Sequence, residues 1–388
     1  MTNLSGLRDK TAEFVRDVVL PSEHELGLGH PSTELRARLQ DAARTAGLLS
    51  PHAPVEHGGL GLTLPEQAVI FEEAGYSLLG PLALNCAAPD EGNMHLLSVV
   101  ATEAQQARYL QPLVAGEVRS CFAMTEPAPG AGSDPSGLET TALQDGDGWR
   151  ISGHKRLITG AEGAAFAICM ARTSVEAAGP RATMFLVDAD TPGFSVTGAP
   201  DTLDHAMIGG HCNVTFDDCF VPADAVLGAP HEGFRYAQVR LAPARLTHCM
   251  RWLGLARRSL DIALDATSQR SLFGSRLHEL GLAQALIADS VIDLETSRAV
   301  IRWACKAIDG GARGTHESSV AKVHVSEAVF RIVDRSMQLA GGSGVTHELP
   351  LARFSNEVRA FRIYDGPSEA HRWSIARRAV RRRESERV

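Results

Sequence analysis

Residues 165–171 read AFAICMA and residues 183–187 read TMFLV, two short apolar runs rich in β-favouring residues, set in a chain whose flanks follow a helical period. A third run, 213–216 (NVTF), puts Val214 and Phe216 on one face, and 145-DGDG-148 before Trp149 is a hairpin turn signal. Beyond this Gly- and Pro-rich middle a period of 3.6 takes over. It runs through Leu246, Met250, Leu253, Leu260 and Leu264, then Ile287, Val291, Leu294 and Ile301, then Val325, Val329, Ile332 and Val333, all expected to face a core. Before it, short amphipathic runs alternate with Pro21, Pro31, 57-HGGLG-61 and Gly80-Pro81, the pattern of a bundle of short helices. The expected fold class is α+β, mainly α: an N-terminal helical domain (1–120), a middle β domain (121–230) and a C-terminal helical bundle (231–388), without internal repeats.

The 388 residues exceed what one core fills, and 44% apolar with 5% aromatic residues suits a helix-rich globular chain. A net charge of -8 gives no general attraction to nucleic acid. The basic cluster Arg377, Arg378, Arg381, Arg382 and Arg383 reads as a solvated helix end that complements the helix dipole. No window has the apolar length of a membrane span, and the N-terminal stretch is charged throughout with no apolar signal core, so a cytoplasmic location is expected. Seven cysteines without Cys-x-x-Cys spacing argue for free thiols. Signatures of nicotinamide-binding Rossmann folds, P-loops, zincins and α/β-hydrolases are absent. His205 and His211 near Cys212 and Cys219 match no metal spacing and read as loop or surface histidines, so no metal is expected.

One segment carries a candidate for chemistry. In 361–371 (FRIYDGPSEAH) Asp365 stands before a helix start in which Gly366 reads as N-cap, Pro367 as the first helical position and Glu369 as the third. By local pattern Asp365 is either a structural group facing the positive helix end or a catalytic base. The loops 130-GAGSD-134 and 341-GGSG-344 are either ordinary turns or places where backbone N–H groups approach a phosphate or a cofactor ring.

Six blocks in order, 121–134 (CFAMTEPAPGAGSD), 153–161 (GHKRLITGA), 217–228 (DDCFVPADAVLG), 270–274 (RSLFG), 337–344 (MQLAGGSG) and 363–372 (IYDGPSEAHR), strongly resemble the acyl-CoA dehydrogenase family. PVEHGGLGL, FEEAGYS and ATEAQQARYLQPLVAGE resemble its first helical domain, so the likeness covers essentially the whole chain. The resemblance implies a helical, β-barrel-like, helical domain order and a flavoprotein oxidoreductase of fatty acid metabolism that uses FAD to desaturate an acyl-CoA between Cα and Cβ. A carboxylate takes the α-proton, the β-hydride goes to flavin N5, and electrons pass on to an electron-transfer flavoprotein. The thioester oxygen is held by a backbone N–H at the base and by the flavin ribityl hydroxyl.

Carried onto this sequence, the resemblance implies Asp365 as the base, with Gly366, Ser133 on the CoA side and Arg245 near the thioester as substrate-binding residues. Phe122, Met124, Thr125, Leu157 and Thr159 line the flavin, with the Thr125 hydroxyl toward its pyrimidine edge, and Pro367 and Glu369 complete the same side. Arg270, Phe273, Gln338, Gly341 and Gly342 reach the FAD of a neighbouring subunit, which implies a homodimer or homotetramer.

Departures from the common pattern matter as well. Most members carry Glu where this chain has Asp365, shorter by one methylene; Ala244 fills the position where some relatives place their base. A branch with Asp-Gly-Pro also carries APDxGNM, here 88–94, and a glycine for glutamine at Gly281. Leu157 replaces an aromatic beside the flavin, and the turn between Glu126 and Ser133 is longer than usual. Two other classes remain: a flavin oxidase or monooxygenase on the same fold, which needs no α-proton base, and a non-catalytic acyl-CoA or FAD-binding scaffold.

Overall fold

The structure is a computed structural model that describes residues 3–27, 29–176 and 179–386. The chain forms two compact units. One gathers Met1–Glu23, Thr63–Pro81 and Arg245–Val388, the other His24–Leu62 and Leu82–Ala244.

The second unit holds the sheet: β1 (Ser120–Ala123), β2 (Thr141–Asp145), β3 (Gly148–Thr159), β4 (Phe166–Glu176), β5 (Gly179–Asp188), β6 (Phe194–Gly198), β7 (His211–Pro222) and β8 (Val226–Leu227). The strand order is β6-β7-β3-β2-β4-β5-β8, with β1 parallel to β4. The expected hairpin closes β2 on β3 with Asp145 opposite Gly148. The run AFAICMA is continuous rather than alternating because β4 is buried on both faces. Phe166, Ile168 and Met170 join Met184 and Leu186 in one apolar cluster, which the helix Asp90–Val100 and the helical stretch 103–114 cover with Met94, Leu97, Leu110 and Leu113. Ala167, Cys169 and Ala171 point the other way, into a cluster with Ile151, Val214, Phe216 and Val221 of β3 and β7. The strand period of two thus builds one face against helices and one against other strands.

In the first unit the principal helices are Leu4–Phe14, Leu64–Ala74, Gly281–Asp309, Thr315–Ala340, Leu351–Phe361 and Ser368–Ser385, together with the larger part of Gly233–Gln269. Val325, Val329, Ile332 and Val333 are fully buried, as are Leu246, Met250 and Leu253. Two residues of the expected stripes are not: Leu264 is 36% and Val291 44% exposed. The buried row runs instead through Leu260, Ala263 and Thr267, and through Ser290, Leu294, Ser297 and Ile301. Small residues take the inward places there, which an apolar count overlooks.

The last helix also begins later than expected. Its N-cap is Pro367, with extended ψ of 153°, so Ser368 is the first helical residue and Glu369 the second. Gly366 lies outside, at φ 94°, and cannot cap the helix. All seven cysteines are buried and free of disulfides. No helix among the described residues is long and apolar enough to cross a membrane.

Candidate active site

Asp365 sits at φ 53°, in the left-handed region, directly before Gly366 at φ 94°. Such a pair turns two successive carbonyls outward, and three side chains hold them there. Arg245 Nε and His371 Nε2 each donate to Asp365 O at 3.0 Å, and Lys322 Nζ donates to Gly366 O at 2.6 Å. A carbonyl can only accept, so His371 carries its proton on Nε2 and its Nδ1 takes the hydroxyl of Ser319 at 3.0 Å. Gly366 is required twice over: besides its φ, a Cβ there would fall 2.7 Å from His371 Nε2. The N–H of Gly366 donates to no protein acceptor among the described residues.

Charge around the Asp365 carboxylate is positive or neutral. His248 Nε2 lies 3.4 Å from Oδ2, and the His248 ring packs 4.9 Å from Tyr364, whose hydroxyl takes the indole N–H of Trp252. Lys322 is fully buried, 5.5 Å above the Phe361 ring, and burial pushes its ammonium down to about 8 against the opposing pull of Asp365. Burial, reinforced by the Arg245 cation, pushes His371 down to about 4, so it is neutral near pH 7. Burial lowers Arg245 as well.

The other unit carries the flavin candidates. Thr125 and Arg156 join the end of β1 to β3: Arg156 N donates to Thr125 O at 2.9 Å and the Thr125 hydroxyl to Arg156 O at 2.7 Å. With its proton committed to Arg156 O, the Thr125 hydroxyl has its lone pairs to offer a ligand. Leu157, at φ 58°, is half exposed beside this junction. Phe122 and Met124 are partly buried against the core. Arg240 lies 4.2 Å over the Phe122 ring, and its Nε donates to Asn93 Oδ1 at 2.8 Å. Asn93 also donates to Ser120 Oγ, while Asp90 accepts from both the N–H and the hydroxyl of Ser120. The 88–94 motif therefore anchors the start of β1 and the guanidinium that lies over Phe122.

The loop bearing Ser133 hangs on a buried ion pair. Glu126 accepts from Lys155 Nζ at 2.9 Å and from the N–H groups of Ala131, Glu139 and Thr140. Burial works against its charge, but Lys155 and these donors outweigh it and hold the carboxyl at about 2. Lys155 also donates to the carbonyls of Met124 and Met170, so one ammonium ties β3 and β4 to the 124–126 segment. Ser133 itself is exposed.

In the first unit Arg270 makes no ion pair among the described residues, and a Cβ at Gly341 (φ 63°) would fall 2.4 Å from its Nη1. Gly341 N–H donates to Gln338 O, nothing lies within 4 Å of a Cβ at Gly342, and Phe273 is 95% exposed. An uncompensated guanidinium over a glycine backbone suits a diphosphate, as in FAD. Pro367 caps the last helix, and Glu369 is exposed beside Arg372.

Sequence reasoning missed Lys322, His371, His248, Glu126, Lys155 and Arg240. A signal existed for Lys322, which stands three residues before Val325 on the buried face of its helix. His211 is no loop or surface histidine: it lies on β7 opposite Thr159, its Nδ1 2.9 Å from that hydroxyl and its Nε2 3.0 Å from Asp204. Among the described residues no three His, Cys, Asp or Glu side chains are placed to hold a metal.

Comparison with known proteins closes the question of family. The N-terminal, middle and C-terminal domains of acyl-CoA dehydrogenases match residues 3–117, 121–219 and 231–380. The probable acyl-CoA dehydrogenase FadE2 of Mycobacterium tuberculosis is 38% identical over 92% of this chain and 88% of its own. Mouse acyl-CoA dehydrogenase family member 10 is 35% identical, but the chain spans only 36% of that longer protein. Butyryl-CoA dehydrogenase of Megasphaera elsdenii superposes with a TM-score of 0.88 at 26% identity, covering 98% of this chain and 99% of its own. In fold alone the chain also resembles a Mycobacterium smegmatis glutaryl-CoA dehydrogenase solved with FADH2, at 24% identity and a TM-score of 0.86 over 98% and 95% of the two chains. On this likeness the chain belongs to the acyl-CoA dehydrogenase family, the FAD-dependent flavoprotein oxidoreductases.

Proposed function

We propose that the protein dehydrogenates an acyl-CoA thioester at Cα–Cβ with Asp365 as the base that takes the α-proton. The observation that carries this reading is the Asp365–Gly366 turn, a left-handed pair whose carbonyls are fixed by Arg245, His371 and Lys322. A side chain carried on a turn tied at both carbonyls is oriented by its backbone, which general-base catalysis needs. Ala244 leaves no rival carboxylate at the position used by some relatives.

The Gly366 N–H, without a protein acceptor, is suited to the thioester oxygen as negative charge develops there. Arg245 acts through the backbone of the base, and Ser133 sits on the loop that would meet the CoA side. FAD, when bound, accepts the hydride from Cβ. Phe122, Met124, Thr125, Leu157 and Thr159 would hold its ring, with Pro367 and Glu369 at the start of the last helix. Arg270, Phe273, Gln338, Gly341 and Gly342 would serve the FAD of a second subunit in a homodimer or homotetramer. The three-segment division at about 120 and 230 and an electron-transfer flavoprotein as acceptor complete the reading.

Anaerobic mixing with a panel of acyl-CoAs tests it. The flavin bleaches with a substrate, and Asp365→Asn stops the bleaching while keeping FAD. An oxygenase would require an external reductant, and a scaffold would stay oxidised.

A further inference from the structure

Behind Thr159 stand His211 and Asp204, a hydrogen-bonded line whose last two members the reading above leaves unused. Thr159 and His211 are cross-strand partners in the β3–β7 register. Burial works against the charge on Asp204, but the hydrogen bond from His211 outweighs it and holds the carboxyl below its usual range. An ionised carboxylate can only accept, so at 3.0 Å His211 donates from Nε2. Neutral His211 then has only a lone pair on Nδ1, and at 2.9 Å it must accept the Thr159 hydroxyl proton. That imidazole is the hydroxyl's only protein partner among the described residues. Adding a proton to Nδ1 forces the opposite arrangement: His211 donates, and the Thr159 O–H turns outward.

We propose that Asp204 and His211 are positioning residues that set the direction of the Thr159 hydroxyl toward the flavin, offering it lone pairs while His211 is neutral and an O–H donor when His211 is protonated. The proposal rests on Thr159 as a flavin contact. A flavin ring gains N–H donors on reduction, so a hydroxyl that only accepts favours the reduced ring relative to one that donates, and the direction of one hydroxyl becomes a setting of the redox balance.

Other titratable groups around His211 come from several segments. His30 and His205 pack edge on with ring centres 5.1 Å apart, His30 Nδ1 lies 2.9 Å from Met207 O, and Asp201 stands 3.8 Å from His205. Arg119 is committed to the carbonyls of Gly160 and Glu162. Among the described residues none of these side chains bonds to the Thr159 hydroxyl, which leaves its reversal to His211.

The test is the midpoint potential of the FAD-loaded protein as a function of pH, with free FAD measured alongside, in wild type, His211→Asn, Thr159→Val and the double variant. Asn offers an oxygen near the place of Nδ1 and has no proton to gain. Wild type is expected to show an inflection that free FAD lacks. Its size is about a tenfold change in the oxidised-to-reduced ratio, or about 30 mV for a two-electron couple. The inflection should vanish in His211→Asn and in Thr159→Val alike. A wild type without inflection, or one that survives in either single variant, overturns the relay. A Thr159→Val protein whose potential and spectrum equal wild type at every pH overturns instead the flavin contact of Thr159. Neither result bears on Asp365.

Discussion

Replacing Lys322 by Met separates two roles that a buried lysine can have. Lys322 is fully buried, and its ammonium is pushed from 10.5 to about 8, which corresponds to about 3 kcal/mol of unfavourable charge burial at pH 7. Methionine removes that cost and keeps most of the packing over Phe361. It also strips the donor from Gly366 O, at about 1–3 kcal/mol for a buried carbonyl left without it. The two nearly cancel, so the variant should be within about 2 kcal/mol of wild type by urea unfolding at pH 7. Function should not survive so lightly. Left-handed backbone at a residue other than glycine costs about 1–3 kcal/mol and persists only while its surroundings enforce it. Losing one of three ties lets the turn relax, and a shift of about 1 Å at the base costs on the order of a hundredfold in oriented catalysis. Rapid-mixing measurement of flavin reduction by a bleaching acyl-CoA should therefore show a fall of about ten- to a hundredfold with FAD retained. pH supplies a check on the ledger. The native lysine titrates at about 8 and the unfolded one at 10.5, so the unfolded chain binds more protons between them and wild-type stability rises over that window. Lys322→Met should lack that rise. Wild-type reduction rates in a variant that loses well over 3 kcal/mol would show Lys322 to be a structural group and refute the argument.

Other outcomes follow from the same geometry. Asp365→Asn should lower flavin reduction by orders of magnitude with little change in FAD content or melting temperature, whereas a merely structural Asp365 would leave turnover intact. Asp365→Glu should reduce activity without abolishing it, and full activity would show that the site does not discriminate acid length. Lys155→Met leaves Glu126 charged and buried, so about 3–5 kcal/mol of stability should disappear in urea unfolding, and a loss below 1 kcal/mol would mean that the pair does not hold the loop. Glu126 titrates at about 2 in the fold and 4.5 unfolded, so it contributes about 3 kcal/mol above pH 4.5 that is lost as pH falls to about 2; Glu126→Gln should flatten that part of the acid unfolding curve.

What the sequence disclosed and what it withheld divide along a physical line. AFAICMA announced a strand because burial on both faces leaves no polar position to interrupt it. The stripe through Val325, Val329 and Ile332 likewise announced a core helix. Leu264 and Val291 misled because Ala263 and Ser290 occupy the inward places. The helix start at Ser368 was displaced because Gly366 uses its freedom for the turn rather than for capping. The supports of the site were less legible still. Glu126 and Lys155 are 29 residues apart, and Lys322 and Gly366 are 44 apart. Contacts of that kind follow from tertiary placement, and no local period encodes them.

The aspartate at 365 then has a reason beyond its charge. Asp enters the left-handed region at less cost than most non-glycine residues because its short side chain can bond locally, help that the longer Glu lacks. Asp365 at φ 53° and Gly366 at φ 94° form a continuous left-handed step, and Pro367 at φ -64° fixes the way out into the final helix. In that step both carbonyls are spent on Arg245, His371 and Lys322, which fixes the direction in which the Gly366 N–H points. Reach lost with one methylene can be restored by the path of the backbone, and a backbone path is set by such ties. On this argument Asp-Gly-Pro, the buried lysine and the histidine six residues on are one device, and a change of acid at 365 tests the turn as much as the side chain.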